Sequence, residues 1–417
     1  MRLKNLLTAV AVFLMAAVWA TTSVPAQADA GGRASSTMDT DSTFRPKPKP
    51  RVKRVTPKTP VRTQKSAVAY EADGDAFYTD KNYEDALDSY ERAVKIRPSA
   101  HALYRIGWIH NDYEEYDQAL AFIERALALD PQASYLHVEK GYSLRRLNRN
   151  AEALAEFNRA VQLDPNSVLG NLGIGDIYFY GTKEYQKAIG PYQRGLQLDP
   201  TKHVAAYNIG WSYNELGNYE DAVKYLSQAT TIKPDYASAY SEMGYSYDRL
   251  DQTANSIRAY QRAIDYDPSL TSALFPLGDI YYDKEKNYEL AAEKYKSGLA
   301  IKPDNANAWQ RLGYCYNDTG QYDEAVAALT KAKQLQPNLA SAYVELGYAY
   351  FKLEKYSEAV STFKQASSID PASALAHYYL GQVYIATRDR NGAMAEYREL
   401  QRLGSDYAQK LNKMINP

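Results

Sequence analysis

The chain has 417 residues, 49 of them basic and 50 acidic, for a formal net charge of −1. That balance argues against a dedicated nucleic-acid binder, which carries a strong basic excess. One cysteine, Cys315, excludes an internal disulfide and any multi-cysteine metal centre, and five histidines offer little material for a histidine one.

Residues 1–28 read as a secretory signal. Arg2 and Lys4 open it, an apolar run from Leu6 to Ala20 follows, and Ala26-Gln27-Ala28 is a small-x-small cleavage site. The run is short for a membrane span, which needs roughly 20 apolar residues. The rival reading is an uncleaved anchor. No cysteine follows the run and no twin-arginine pair precedes it, so neither a bacterial lipoprotein nor twin-arginine export is supported. The mature protein is therefore expected outside the cytoplasm, periplasmic or extracellular.

Residues 29–66 form a linker of different composition. Arg45 to Lys65 holds nine basic residues and five prolines, with no acid between Thr43 and Tyr70. Proline blocks helix and like charges repel, so an extended, disordered segment is expected. Met1–Ser66 carries 12 basic and 3 acidic residues, and Ala67–Pro417 carries 37 and 47. The neutral total hides two opposed segments. The linker has three readings: a solvated spacer, a weak contact with anionic lipid or wall polymer, or a strand that lies on the acidic domain beside it.

From Ala67 a repeat of about 34 residues begins. Gly recurs at 74, 107, 141, 175, 210, 244, 278, 313, 347 and 381, and a small residue follows at Ala86, Ala119, Ala153, Ala188, Ala222, Ser256, Ala291, Ala325, Ala359 and Ala393. Pro closes each of the first nine units, from Pro98 to Pro371. Apolar residues fall at helical spacing twice per unit, so each unit is read as two antiparallel helices. Gly inside a helix costs about 1 kcal/mol against Ala. Its recurrence calls for two helices too close for a side chain.

The pattern resembles the tetratricopeptide repeat, W-x2-L-G-x2-Y, then A-x3-F, then Pro. The fifth unit reads Ile209-Gly210-Trp211-Ser212-Tyr213, then Ala222, Leu226, Ala229 and Pro234. The resemblance covers ten consecutive units, residues 67–404. It implies an all-α, right-handed superhelical solenoid of helix pairs. Residues 405–417, with Tyr407, Leu411 and Ile415 four apart, read as a capping helix. Asp73 and Lys140 stand where the motif has an apolar residue, and the fourth and seventh units carry one extra residue in the turn. Tyr178, Tyr213, Tyr247, Tyr281, Tyr316, Tyr350 and Tyr384 fill the motif's aromatic column and are expected in the core. Cys315 is expected to be a small buried hydrophobe.

A longer period of 103 overlies the first, as in Gly107, Gly210 and Gly313. It marks three other columns of each unit's first helix, spaced i, i+3 and i+4 and so sharing one face. The first column holds Asp75, Trp108, Tyr142, Asp176, Trp211, Tyr245, Asp279, Tyr314 and Tyr348. The second holds Tyr78, Asn111, Arg145, Phe179, Asn214, Asp248, Tyr282, Asn317 and Phe351. The third is mostly charged, with Asp112, Arg146, Glu215, Arg249, Asp283, Asp318 and Lys352. In the proteins this chain resembles, that face lines the concave side of the superhelix. Aromatic anchors among polar neighbours are what protein interfaces favour. The partner-binding candidates are Trp108, Asn111, Tyr142, Arg145, Asp176, Phe179, Trp211, Asn214, Tyr245, Asp279, Tyr282, Tyr314, Asn317 and Tyr348. The competing reading is a triplication that copied these residues without selection for binding.

No catalytic constellation stands outside the repeat. Gly173-Ile174-Gly175 lacks the strand and the third glycine of a dinucleotide loop, and Asp73-Gly74-Asp75 lacks the rest of a calcium loop. No cofactor, metal or nucleic acid is implied. The sequence reads as a non-enzymatic, exported scaffold of the bacterial cell envelope, binding a protein or extended peptide. Two alternatives stand beside it: a substrate-recruiting partner of an enzyme such as a glycosyltransferase, and a wall- or surface-binding adhesion protein.

Overall fold

The computed structural model describes residues 65–416, so the signal segment and the linker up to Gln64 lie outside the described residues. Every regular element among those described is helical. They divide into two compact units, residues 65–251 and 252–416.

The first unit holds α1 (Ala67–Thr79), α2 (Tyr83–Ile96), α3 (Ala100–Asp112), α4 (Tyr116–Leu129), α5 (Ser134–Arg146), α6 (Asn150–Leu163), α7 (Val168–Asp176), α8 (Tyr185–Leu198), α9 (His203–Glu215), α10 (Tyr219–Ile232) and α11 (Ala237–Arg249). The second holds α12 (Thr253–Tyr266), α13 (Thr271–Asp283), α14 (Tyr288–Ile301), α15 (Ala306–Asp318), α16 (Tyr322–Leu335), α17 (Ala340–Lys352), α18 (Tyr356–Ile369), α19 (Ala374–Ala386), α20 (Arg390–Arg402) and α21 (Tyr407–Ile415). Within each unit, helices pack on their neighbours in sequence, the expected stack of helix pairs.

Local chemistry sets the helix ends. Ser66, Ser99, Ser167, Asn305 and Ser373 cap the helices that follow them by accepting a backbone N–H. The first helix of a pair stops at a left-handed residue: Gly217 and Gly320 in two turns, but Lys81, Glu114, Glu354 or Arg388 in others. The extra residue of the fourth unit becomes a π-turn, Ile177–Gly181, which extends α7. In the seventh unit Glu285 N–H reaches back to Ile280 O, the same widening.

The small columns pack as their spacing requires. A Cβ on Gly210 would lie 2.6 Å from Leu226 Cγ and 3.1 Å from Ala222 O. The Ala column from Ala86 to Ala393, with Ser256, is fully buried. The motif's tyrosines differ from expectation. Tyr178, Tyr213, Tyr281, Tyr316 and Tyr350 pack against the core clusters yet stay half-buried. The fully buried rings are Tyr90, Tyr192, Tyr295, Phe157 and Phe363, each on a second helix. They fill the space the glycines open: a Cβ on Gly74, Gly175 or Gly278 would strike Tyr90, Tyr192 or Tyr295. Cys315 is fully buried, as expected.

The two motif departures are ion-paired. Asp73 meets Lys65 at 2.5 Å, and Lys140 lies 3.0 Å from Glu156 and 3.4 Å from Glu124. At the other end, α21 buries Ala408, Leu411 and Ile415 against Tyr378, Ala393 and Leu400.

Candidate functional site

The candidate columns divide into seams and surface. The deepest set recurs at the long period and joins first helices of neighbouring pairs. Asn111 on α3 donates to Glu139 Oε2 (3.2 Å) on α5 and accepts from Ser143 Oγ (2.7 Å). Asn214 on α9 repeats this with Glu242 (2.9 Å) and Ser246 (2.7 Å) on α11. Asn317 on α15 donates to Glu345 Oε2 (2.8 Å) on α17. In that third copy Ala349 stands where the others have serine, and Asn317 Oδ1 finds no hydrogen-bond partner among the described residues. All three asparagines are buried. They hold helices together and do not meet solvent.

The aspartates form a second seam. Tyr90 OH donates to Asp75 (2.6 Å), Tyr192 OH to Asp176 (2.7 Å) and Tyr295 OH to Asp279 (2.5 Å). A guanidinium from the next pair comes near two of them: Arg105 Nε is 3.8 Å from Asp75, and Arg311 Nε is 3.5 Å from Asp279. In the middle copy Asn208 takes the arginine's place and donates to Tyr192 OH (3.0 Å). Asp176 is fully buried there, and its cation is Arg145 Nη1 from the preceding pair, at 3.7 Å.

The titration follows from burial and these partners. Burial alone would raise the Asp75 carboxyl, but hydrogen bonds from Tyr90 and His101 and the Arg105 charge bring it below its ordinary value. Burial raises Asp176 to about 6, more than Arg145 and Tyr192 offset. Burial likewise raises Glu345 to about 7 against the Asn317 hydrogen bond, with Asp318 adding to the rise. These shifts belong to structural seams and need no catalytic reading.

Part of the aromatic set makes the surface. Trp108 is half-buried, with Tyr78 and Tyr83 at ring distances of 5.1 and 5.7 Å. Arg105 lies over the Tyr78 ring at 4.3 Å. Trp211 is half-buried between Phe179 (5.3 Å) and Tyr207 (5.6 Å), and its indole N–H donates to Glu215 (3.2 Å). Tyr245 is half-buried near Tyr219, as is Tyr236 near Tyr207. Phe179 is buried beneath this track. Tyr142, Tyr282, Tyr314 and Tyr348 are buried too, with rings against Tyr116, Tyr288 and Tyr322. Tyr282 OH donates to Asp318 (2.6 Å), and Tyr314 OH accepts from Gln310 (2.6 Å).

One group of contributors was missed from sequence. The first residue of many second helices is Tyr83, Tyr116, Tyr185, Tyr219, Tyr288 or Tyr322, and each packs onto the face. Their signal was a tyrosine nine or ten residues after seven of the ten motif glycines, all but Gly141, Gly244 and Gly381. Arg146, Arg249 and Lys352 lie over Tyr116, Tyr219 and Tyr322, a third fastener at the long period.

Among the described residues no group of histidine, cysteine and acidic side chains is placed to hold a metal ion. No described helix is long and apolar enough to cross a membrane.

The chain is similar to parts of several known proteins. The human protein O-mannosyl-transferase TMTC1 is 27% identical over 175 residues, 33% of this chain and 20% of that protein. Anaphase-promoting complex subunit 3 of Schizosaccharomyces pombe is 26% identical over 165 residues, 39% of this chain and 25% of that protein. The match thus spans a quarter or less of these relatives. A crystal structure of MamA superposes with a TM-score of 0.37 at 29% identity, covering 40% of this chain and 96% of MamA. Tetratricopeptide repeat profiles match residues 72–134, 138–203, 241–306 and 284–347, and a TPR repeat profile matches 210–251 and 347–387. Together they leave few residues unmatched between 72 and 387, and the chain belongs to the tetratricopeptide repeat family.

Proposed function

We propose that this chain is a non-enzymatic scaffold of the bacterial cell envelope that binds a protein or extended peptide along the first-helix face. The observation that carries the reading is the track of half-buried Trp211 and Tyr236 over buried Tyr207, with half-buried Tyr245 on the neighbouring helix and Glu215 beside it. Such rings add contact area at low entropic cost and are frequent anchors of protein interfaces. The buried asparagines and the aspartate seam act behind the track, fixing its spacing from pair to pair.

The test is capture of a partner from envelope extract by the wild-type chain and by Trp211→Ala with Tyr245→Ala. The double variant loses the partner while its helical circular dichroism stays unchanged. Equal capture by both refutes the reading. Envelope location rests on Arg2, Lys4, the apolar run and Ala28. Mass spectrometry of the native protein should find an N-terminus at Asp29 or Gly31, and an intact Met1 on membrane-bound protein contradicts cleavage. A second reading, an arm that recruits substrate to a separate enzyme, draws on the likeness to the O-mannosyl-transferase.

A further inference from the structure

We propose that the chain carries its own ligand for this face: the segment Pro57-Lys58-Thr59-Pro60-Val61-Arg62 docks along α1, with Pro57 on the aromatic patch of Tyr78, Tyr83 and Trp108. The inference rests on the reading of the face as a binding surface, and it names an occupant for the patch at the N-terminal end of the first unit.

Chemistry supports the match from both sides. Pro-x-x-Pro segments favour the polyproline II form, lose little entropy on binding and dock in grooves lined by aromatic rings. Pro57 and Pro60 have that spacing, with Arg54 and Arg62 on either side. The patch supplies three half-buried rings mutually 5.1 to 5.7 Å apart. Its surroundings are acidic, with Arg105 over the Tyr78 ring as the cation already seated there. Residues 71–88 hold seven acids (Glu71, Asp73, Asp75, Asp80, Glu84, Asp85 and Asp88) against one base, Lys81. Arginine and lysine brought there gain both Coulomb attraction and contact with ring faces.

The tether has the right length and direction. The described chain begins at Lys65, one residue before the Ser66 cap of α1. The Lys65 ammonium already turns back along α1 to Asp73, at 2.5 Å. Pro60 and Pro57 lie five and eight residues before Lys65, or about 16 and 25 Å in polyproline II form. Tyr78 lies about 18 Å along α1 from its start, and on another side of a helix about 10 Å across. A path of about 20–25 Å covers both, which brings Pro57 to the near edge of the patch and leaves Pro60 and Arg62 on the approach along α1. A tether this short holds the segment at high effective concentration, so modest contacts suffice to keep it seated. Seated there, it competes with a partner for the first part of the face, most strongly at low ionic strength.

The experiment needs no partner, so its failure leaves the scaffold reading to its own test. Spin labels are placed at Thr59→Cys and Gln118→Cys, an exposed site on α4, in the full chain. The native Cys315 is buried and stays unlabelled. Pulsed dipolar spectroscopy should give one narrow distance population, unchanged by dilution with unlabelled chain. That population should broaden in 1 M salt, in Trp108→Ala, and in Pro57→Ala with Pro60→Ala and Arg62→Ala. The last variant alters no described helix and guards against a folding defect in Trp108→Ala. A broad distribution in the unaltered segment overturns the proposal. So does a narrow one that survives both sets of substitutions, or one that vanishes on dilution and so arises between copies.

Discussion

Asp75 and Asp176 occupy equivalent places on α1 and α7, yet burial and partners move their carboxyls in opposite directions. The difference is the complete burial of Asp176 together with two residues of the next pair, His101 and Arg105 against Val204 and Asn208. It carries a pH signature. The Asp176 carboxyl is raised from 3.8 to about 6 in the folded chain. Its contribution to stability is full below about 3.8 and is lost as pH rises through about 6. At 1.36 kcal/mol per unit, that loss is on the order of 3 kcal/mol between pH 4 and pH 7. Denaturant unfolding of Asp176→Asn should match the wild type near pH 4 and exceed its stability near pH 7.5. Equal pH profiles would contradict the assignment. A second test uses Asn317, whose Oδ1 lacks the serine present in the other two copies. Ala349→Ser should supply that hydrogen bond and raise stability by about 0.5–1.5 kcal/mol. Destabilisation would mean the site cannot admit the hydroxyl.

Helix pairing depends on the close approach at each motif glycine. Gly210 packs on Leu226 and the Ala222 carbonyl so closely that a single Cβ collides. Gly210→Leu should cost roughly 1–3 kcal/mol or more. Because repeat stability is near-additive along the stack, faster hydrogen exchange should centre on α9, α10 and their neighbours. Uniform or absent change would contradict the packing described. This scale was the most legible in sequence. Gly, Ala and Pro recur at fixed spacing because each answers a steric demand of the backbone. The extra residue of the fourth unit was legible as an insertion, but its form as a π-turn was not. An insertion can be absorbed by several backbone geometries, and composition does not choose among them.

Across the whole chain the candidate face was legible as columns but not as depth. Sequence spacing put Asn111, Asn214 and Asn317 beside Trp108 and Trp211, and nothing in the pattern separated fasteners from surface. Depth depends on the neighbouring pair: Glu139 and Ser143 cover Asn111, whereas Trp211 keeps an open edge. The same face therefore does two jobs. Its polar residues set the register between pairs, and its half-buried aromatic residues Trp108, Trp211 and Tyr245 remain for contact.

The central claim, that the aromatic track is the contact surface, is tested most directly by titrating a captured partner against three chains of matched thermal stability. These are the wild type, Trp211→Ala with Tyr245→Ala, and Lys331→Ala, a control on the second helix α16. Loss of two interface anchors, at about 2 kcal/mol for a hot-spot residue, predicts a rise in Kd of at least about 30-fold for the double variant and none for the control. Equal affinity for wild type and double variant, or a loss confined to the control, would contradict the account.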